Sequence, residues 1–359
     1  MPPSSRIPPL LQPHVRLPHD DSILLLTSTL GASANWLITR ILCDALRSSS
    51  KGGGGLEADN EEGVDVLLVS WMREYEFWKQ EARKGAGVDL ERGRREGRVG
   101  FVDGLSGLFL EPEDMAGTKG AEMEKRPAHS LPVRGSPSGR LGAVLARGLS
   151  PAPSQASATS AVPATVRQNA QSTTLPSTSS RGGLYTLQSP DLAHLKSTIT
   201  TALSHFTNTA HTRKTLLILD NPDILLAASP DITHSSLTSL ILTLHALPSI
   251  SHVLVHLQAD TPLLGTNIPP QPIEVAQRNL LVKIAHMSRR VLGVRVLDTG
   301  VARDVSGVLR ATENEGVLVG LGVRDREEGE EEAKGKEMLY KVNGDGSVKV
   351  FERGAGGEG

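Results

Sequence analysis

A phosphate-binding loop is built from a buried strand, a glycine-containing turn and a helix whose first N–H groups face the anion, in the pattern G-x-x-x-x-G-K-[ST]. The stretch Leu24–Leu42, LLLTSTLGASANWLITRIL, has the apolar strand, the short polar turn and the helical pattern. Aligned on Gly31 and Ser33, it puts Leu26 where the opening glycine belongs and Ala32 where the lysine belongs. The turn keeps a glycine and a hydroxyl but has no cation for the β- and γ-phosphates. Leucine also hinders the close backbone approach that glycine permits. Ser28, Thr29 and Ser33 are ordinary turn and N-cap residues. The reading is a degenerate phosphate loop. A nucleotide held by the helix N-terminus, unhydrolysed or weakly hydrolysed, stays open as the alternative.

The other chemical candidates are weaker. Asp220 closes the apolar run KTLLILD, the pattern that positions Mg²⁺ in nucleotide hydrolases. The signal is weak alone, since Asp ends many buried strands as a cap or turn former, and the Asn221-Pro222 that follows enforces such a turn. Trp71 and Met72 follow the neighbouring strand and cannot orient a water, and Glu74 and Glu76 fit a charged helix face. His252 and His256 share a strand face but stand roughly 13 Å apart, too far for one metal. DGLSG does not satisfy G-x-S-x-G, so Ser106 reads as a turn residue. Cys43, the single cysteine, excludes an internal disulfide framework and reads as a buried, inert thiol. No catalytic residue, metal or cofactor is expected.

These residues need elements to position them. Apolar runs predict strands over Ile23–Ser28, Val64–Ser70, Gly100–Asp103, Lys214–Asp220, Ser251–Leu257 and Val294–Thr299. Helical spacing predicts helices over Ala34–Arg47, Glu74–Lys84, Asp191–Phe206 and Leu237–Leu247, while Ile273–Ala285 carries signals of both kinds. EMLYKVNGDGSVKVFER is a hairpin signature. Apolar runs alternating with helices indicate an α/β fold, a mostly parallel sheet flanked by helices on both faces. Ligands in such folds bind at the carboxyl edge, where the loops after Ser28, Ser70, Asp103 and Asp220 lie.

The chain has 359 residues, 36 of them glycine and 22 proline, and is 38% apolar, which suggests one core diluted by long unstructured parts. Residues 1–20 read as a flexible or docking tail, and 21–110 with 183–353 as one domain. Residues 111–182, rich in Pro, Ser, Thr, Ala and Gly, read as a disordered insertion within it. Net charge is −2, so no global attraction to nucleic acid or membrane is expected and any basic site must be local. Without a membrane span or signal peptide, a soluble protein of the cytoplasm or nucleus is expected.

Aromatics make up 3% of the chain, yet Trp71, Tyr75, Phe77 and Trp78 crowd into one stretch. On a helix, Trp71, Tyr75 and Trp78 share a face, which packs on the sheet or forms a candidate subunit interface. Arg73 lies within this stretch, and Arg92, Arg94, Arg95 and Arg98 follow in ERGRREGR. Basic loops interleaved with aromatics hold single-stranded RNA, making Arg73, Arg92, Arg94 and Arg95 candidate RNA contacts. Glu74, Glu76, Glu81, Glu91 and Glu96 partly neutralise the patch, and a solvated charged face is the competing reading.

The stretches LLLTSTLGASANWLITRILCDAL, VLLVSWMREYEFWKQEARKGAGVDL and GRVGFVDGLSGLF together resemble the sixth-subunit family of Elongator in its fungal form. LLILDNPDILLAAS and SHVLVHLQADTPLL follow in the matching order. The resemblance implies a RecA-like, KaiC-like α/β fold without an intact phosphate loop. It implies a hexameric ring formed with the fourth and fifth Elongator subunits, tRNA bound through that ring, and a supporting role in wobble-uridine modification whose chemistry lies in another subunit.

Overall fold

The computed structural model describes residues 7–47, 63–109, 182–207, 213–265, 269–300, 302–314 and 335–353. The expectation for 111–182 lies outside these residues, apart from Gly182. The described strands form one ten-stranded sheet in the order β10-β9-β8-β7-β1-β6-β5-β2-β3-β4. They are β1 (Ser22–Ser28), β2 (Asp65–Ser70), β3 (Val99–Asp103), β4 (Leu184–Thr186), β5 (Thr215–Asp220), β6 (Ile250–Gln258), β7 (Ser288–Arg295), β8 (Gly307–Glu313), β9 (Lys336–Val342) and β10 (Val348–Glu352). From β4 to β7 the neighbours are parallel, and β8, β9 and β10 extend the sheet antiparallel.

The central strands are apolar throughout because both faces are covered. Successive side chains point to opposite faces, so each strand divides its residues between two cores. Leu24, Leu26, Val66, Leu68, Leu216, Ile218 and Leu254 pack on one face, with α2 (Asn35–Arg47) and α3 (Tyr75–Glu81). Ile23, Leu25, Leu67, Val69, Leu217, Leu219, Val253 and Val255 pack on the other, with three further helices. These are α6 (Leu192–Thr207), α8 (His234–His245) and α10 (Pro272–Met287). The shorter helices are α1 (Gln12–Val15), α4 (Leu90–Arg95), α5 (Ser106–Phe109), α7 (Ile224–Ala228) and α9 (Thr261–Leu264). The α/β architecture and the C-terminal hairpin are as expected from the sequence. Val342 pairs with Val348 across a turn in which Gly346 takes φ +81°, a backbone conformation glycine adopts freely.

Several expectations need correction. Residues 7–20 do not form a free tail, because Ile7, Leu11 and Val15 are buried in the α2-side core. Arg290 donates to the carbonyls of His14 and Arg16 at 3.0 and 2.7 Å, and the His252 ring lies 3.0 Å from the Pro18 carbonyl, tying this segment to β7 and β6. The mixed pattern near 273–285 resolves into α10, whose start is fixed by Pro272 and a Gln271–Glu274 capping box. The following strand is β7, earlier than the expected Val294–Thr299. Helix α3 stops at Glu81 and gives way to a π-helical turn over Ala82–Ala86.

Candidate functional site

The parallel register brings one polar residue from each of four adjacent strands to the carboxyl edge. Ser28 lies two residues beyond Leu26, the partner of His256, while Asp220 pairs with His256 and Ser70 with Asp220. All four continue the α2-side parity of their strands, so their side chains meet. Ser28 Oγ is 2.8 Å from His256 Nε2, and His256 Nδ1 is 2.7 Å from Asp220 Oδ1. Ser70 Oγ donates to Asp220 Oδ2 at 2.7 Å. A carboxylate only accepts, so His256 Nδ1 donates to Asp220. The network continues into the next loop, since the N–H groups of Met72 and Arg73 donate to Ser70 Oγ at 3.4 and 3.1 Å.

A hydroxyl, an imidazole and a carboxylate in this order are the parts of a nucleophilic triad. Here they are closed in: Ser28 and His256 are each 3% exposed and Asp220 is 1% exposed, and the Ser28 hydroxyl also lies 3.3 Å from Gln258 Oε1. The network joins β1, β6, β5 and β2 at their ends and fixes the loop carrying Arg73. Asp220 uses both carboxylate oxygens within it. Beside it, Asn221 takes φ +60° in the turn into α7, a region asparagine tolerates. Asp223 accepts from the Gln258 N–H at 3.1 Å and from Gln277 Nε2 at 2.8 Å. Burial pushes the Asp223 carboxyl above its ordinary range, and these hydrogen bonds oppose that.

The loop after β1 is a tight turn in which the Ala32 N–H donates to the Thr29 carbonyl at 2.9 Å and Gly31 takes φ +86°. The Leu30 N–H donates to Asp260 Oδ1 at 2.5 Å, so a carboxylate of the protein already holds it. Leu26 is fully buried within β1 and not in the loop, and the Ala32 side chain is 2% exposed in the core. Ser33 Oγ accepts from the Asn35 N–H at 3.3 Å. Ala32→Lys is therefore expected to lower the melting temperature by forcing an ammonium into apolar packing, without restoring nucleotide affinity. Thermal melts and calorimetric titration with ATP and Mg²⁺ check both halves, and ATP affinity gained at unchanged stability would contradict the expectation.

The aromatic stripe does not form a partner-facing surface. Trp71 precedes α3 in the loop braced by Ser70, and it is fully buried among Val69, Leu187 and Leu195. Trp78 is fully buried on the opposite face with Trp36 and Leu90. The turn after β2 separates residues that an unbroken helix would have aligned. Tyr75 is half-buried, its ring centroid 5.6 Å from that of Phe101, and its hydroxyl donates to Glu91 Oε2 at 3.2 Å. Burial, with the Glu91 charge beside it, pushes the Tyr75 hydroxyl pKa up to about 12.

The arginines divide into two sets. Arg92 pairs with Glu96 at 2.7 Å, Arg94 with Glu91 at 2.6 Å, Arg95 with Glu91 at 3.8 Å, and Arg98 with Asp65 at 3.8 Å. Arg73 makes no ion pair among the described residues, and its guanidinium lies over the Phe77 ring, 5.0 Å from the centroid. Sequence reasoning missed the role of His256, which it weighed only against His252 on the same strand. The available signal was that four apolar runs reach a polar residue of the same parity at the same sheet edge.

The strand order and the carboxyl-edge site define a mostly parallel α/β protein with helices on both faces of the sheet. No family model matches the sequence, and no curated protein matches it. Similar solved structures include a KaiC-like protein of the hyperthermophilic archaeon Pyrococcus horikoshii, 10% identical, with a TM-score of 0.46, covering 97% of each chain. Another is an uncharacterized protein of the same organism crystallised with an unknown peptide, 10% identical, TM-score 0.46, covering 98% of this chain and 99% of that one. Among the described residues, no helix is long and apolar enough to cross a membrane, and no group of three or more His, Cys, Asp or Glu is placed to hold a metal ion.

Proposed function

We propose that this chain is a non-catalytic RecA-like subunit of Elongator. In this reading it assembles with the fourth and fifth subunits into a hexameric ring that binds tRNA and supports wobble-uridine modification. The resemblance of the three early stretches motivates the partner assignment. The observation that best supports a non-catalytic role is the loop after β1, where Asp260 holds the Leu30 N–H and Ala32 is packed inward. Co-expression with the two partner subunits, followed by native mass measurement, tests the assignment. A six-subunit species containing this chain is the expected result, and elution of this chain alone while the other two assemble would refute it.

The alternative is weak nucleotide binding at Gly31–Ser33, where α2 begins at the same edge. Titration of the purified chain with ATP and Mg²⁺ separates the two, since the non-catalytic reading expects neither measurable heat nor turnover.

The α4 arginines test tRNA contact. Arg92 and Arg95 are the more solvated, with side chains 76% and 71% exposed. Replacing both with glutamate is expected to weaken tRNA binding by the ring and to reduce the steepness of its salt dependence by about 1.5–2 in the log–log slope. Unchanged affinity at fixed salt would remove them as contacts.

A further inference from the structure

We propose that the cavity between the β2–α3 and β3–α5 loops takes a single unstacked guanine of single-stranded RNA. This rests on the RNA-binding reading above and gives it a site. The cavity, of about 330 Å³, opens at the carboxyl edge of the sheet. One wall is the Arg73 guanidinium lying over the Phe77 ring, and Met72 and Leu105 supply apolar surface. Such a cation-on-ring platform stacks the flat face of a base, and an arginine without an ion pair is left to meet the adjoining phosphate.

The acceptors give the base its identity. Asp103 Oδ1 accepts the N–H groups of Leu105 and Ser106 at 3.0 and 2.9 Å, which fixes the carboxylate. Its Oδ2 accepts from no group among the described residues. Glu74 lines the same cavity with a second carboxylate. Guanine presents two adjacent donors, N1–H and the N2 amino group, to this acidic side, whereas uracil presents a single N–H between two carbonyl oxygens. The loop is set in place from below, because Ser70, held by Asp220, accepts the N–H groups of Met72 and Arg73.

The test uses the full-length chain, alone or in the co-expressed assembly, with labelled oligouridine of about 12 nucleotides carrying one central guanosine, inosine or abasic site. Fluorescence anisotropy at fixed salt should show guanosine bound about tenfold tighter than the abasic site, with inosine, which lacks the amino group, between them. Asp103→Asn keeps an oxygen for the two backbone N–H groups but turns the free acceptor into a donor. It should abolish the guanosine preference, bringing guanosine, inosine and abasic oligomers to one affinity, while the loss of a negative charge raises the abasic oligomer's affinity slightly, a pattern a merely structural residue would not give. Arg73→Ala should weaken all three oligomers and lower the salt slope by about 0.7. Equal binding of guanosine and abasic oligomers would overturn the pocket and leave the RNA-binding reading standing. Absence of binding to any RNA, by chain or assembly, would overturn both. Capture of an arginine-rich peptide without RNA, lost in Asp103→Asn, would overturn the proposal in favour of protein docking.

Discussion

Trp71→Ala and Trp78→Ala are each expected to cost about 3–5 kcal/mol of folding stability, the range for emptying a buried aromatic site. Both indoles are fully buried, and they belong to different cores on opposite faces of the sheet. Filling either cavity by collapse would require helices to shift against a sheet whose register is fixed by ten strands. A domain of ordinary stability, about 5–15 kcal/mol, would be left marginal by one substitution and unfolded by both. Trp71→Phe should cost much less, because it keeps most of the ring and removes an indole N–H that has no partner among the described residues. Urea unfolding followed by circular dichroism checks this. If either alanine variant unfolded at the wild-type midpoint yet failed to enter an assembly, the tryptophan would be an interface residue after all.

Asp220→Ala is expected to destabilise the fold by about 3–5 kcal/mol, since it strips the central acceptor from a buried network. It leaves the His256 Nδ1–H and the Ser70 hydroxyl unsatisfied on the two strands that flank β5. Asp220→Asn keeps one acceptor and should cost less, about 1–3 kcal/mol. The two variants separate this role from metal binding. An aspartate that held Mg²⁺ for turnover would lose activity on substitution with stability nearly intact, whereas a network aspartate loses stability first. Denaturant midpoints for the two variants, beside ATP turnover by the co-expressed assembly, decide between them. An unchanged midpoint for Asp220→Ala would refute the network's structural role.

The missing cation of the phosphate loop was legible in the sequence, since residue identity at positions 26 and 32 needs no coordinates. The alignment was less informative about geometry: it treated Leu26 as part of the loop, whereas β1 runs on to Ser28 and buries it. The carboxyl-edge loops were legible for the same reason as the strands that lead to them. The helix expected over 74–84 illustrates the opposite case. Its spacing aligns Trp71 with Trp78, but Ser70 accepts two backbone N–H groups and turns the chain before the helix begins. A side-chain cap of that kind is one hydrogen-bonding choice among several for a serine, and periodicity does not register it.

Residue order alone determined the apolar runs and hence the strands covered on both faces, the hairpin after Val342, and the lack of a lysine for a triphosphate. Each follows from local chemistry: side-chain period, turn propensity, or the presence of one charged group. Only the tertiary structure decided that Asp220 serves His256 and Ser70, that Asp260 occupies the Leu30 N–H, that residues 7–20 are packed down, and that among the described residues Arg73 makes no ion pair while the α4 arginines do. Those partnerships join residues up to 276 positions apart. They are set by the register of parallel strands, which depends on how the whole sheet assembles and leaves no spacing in the chain to read.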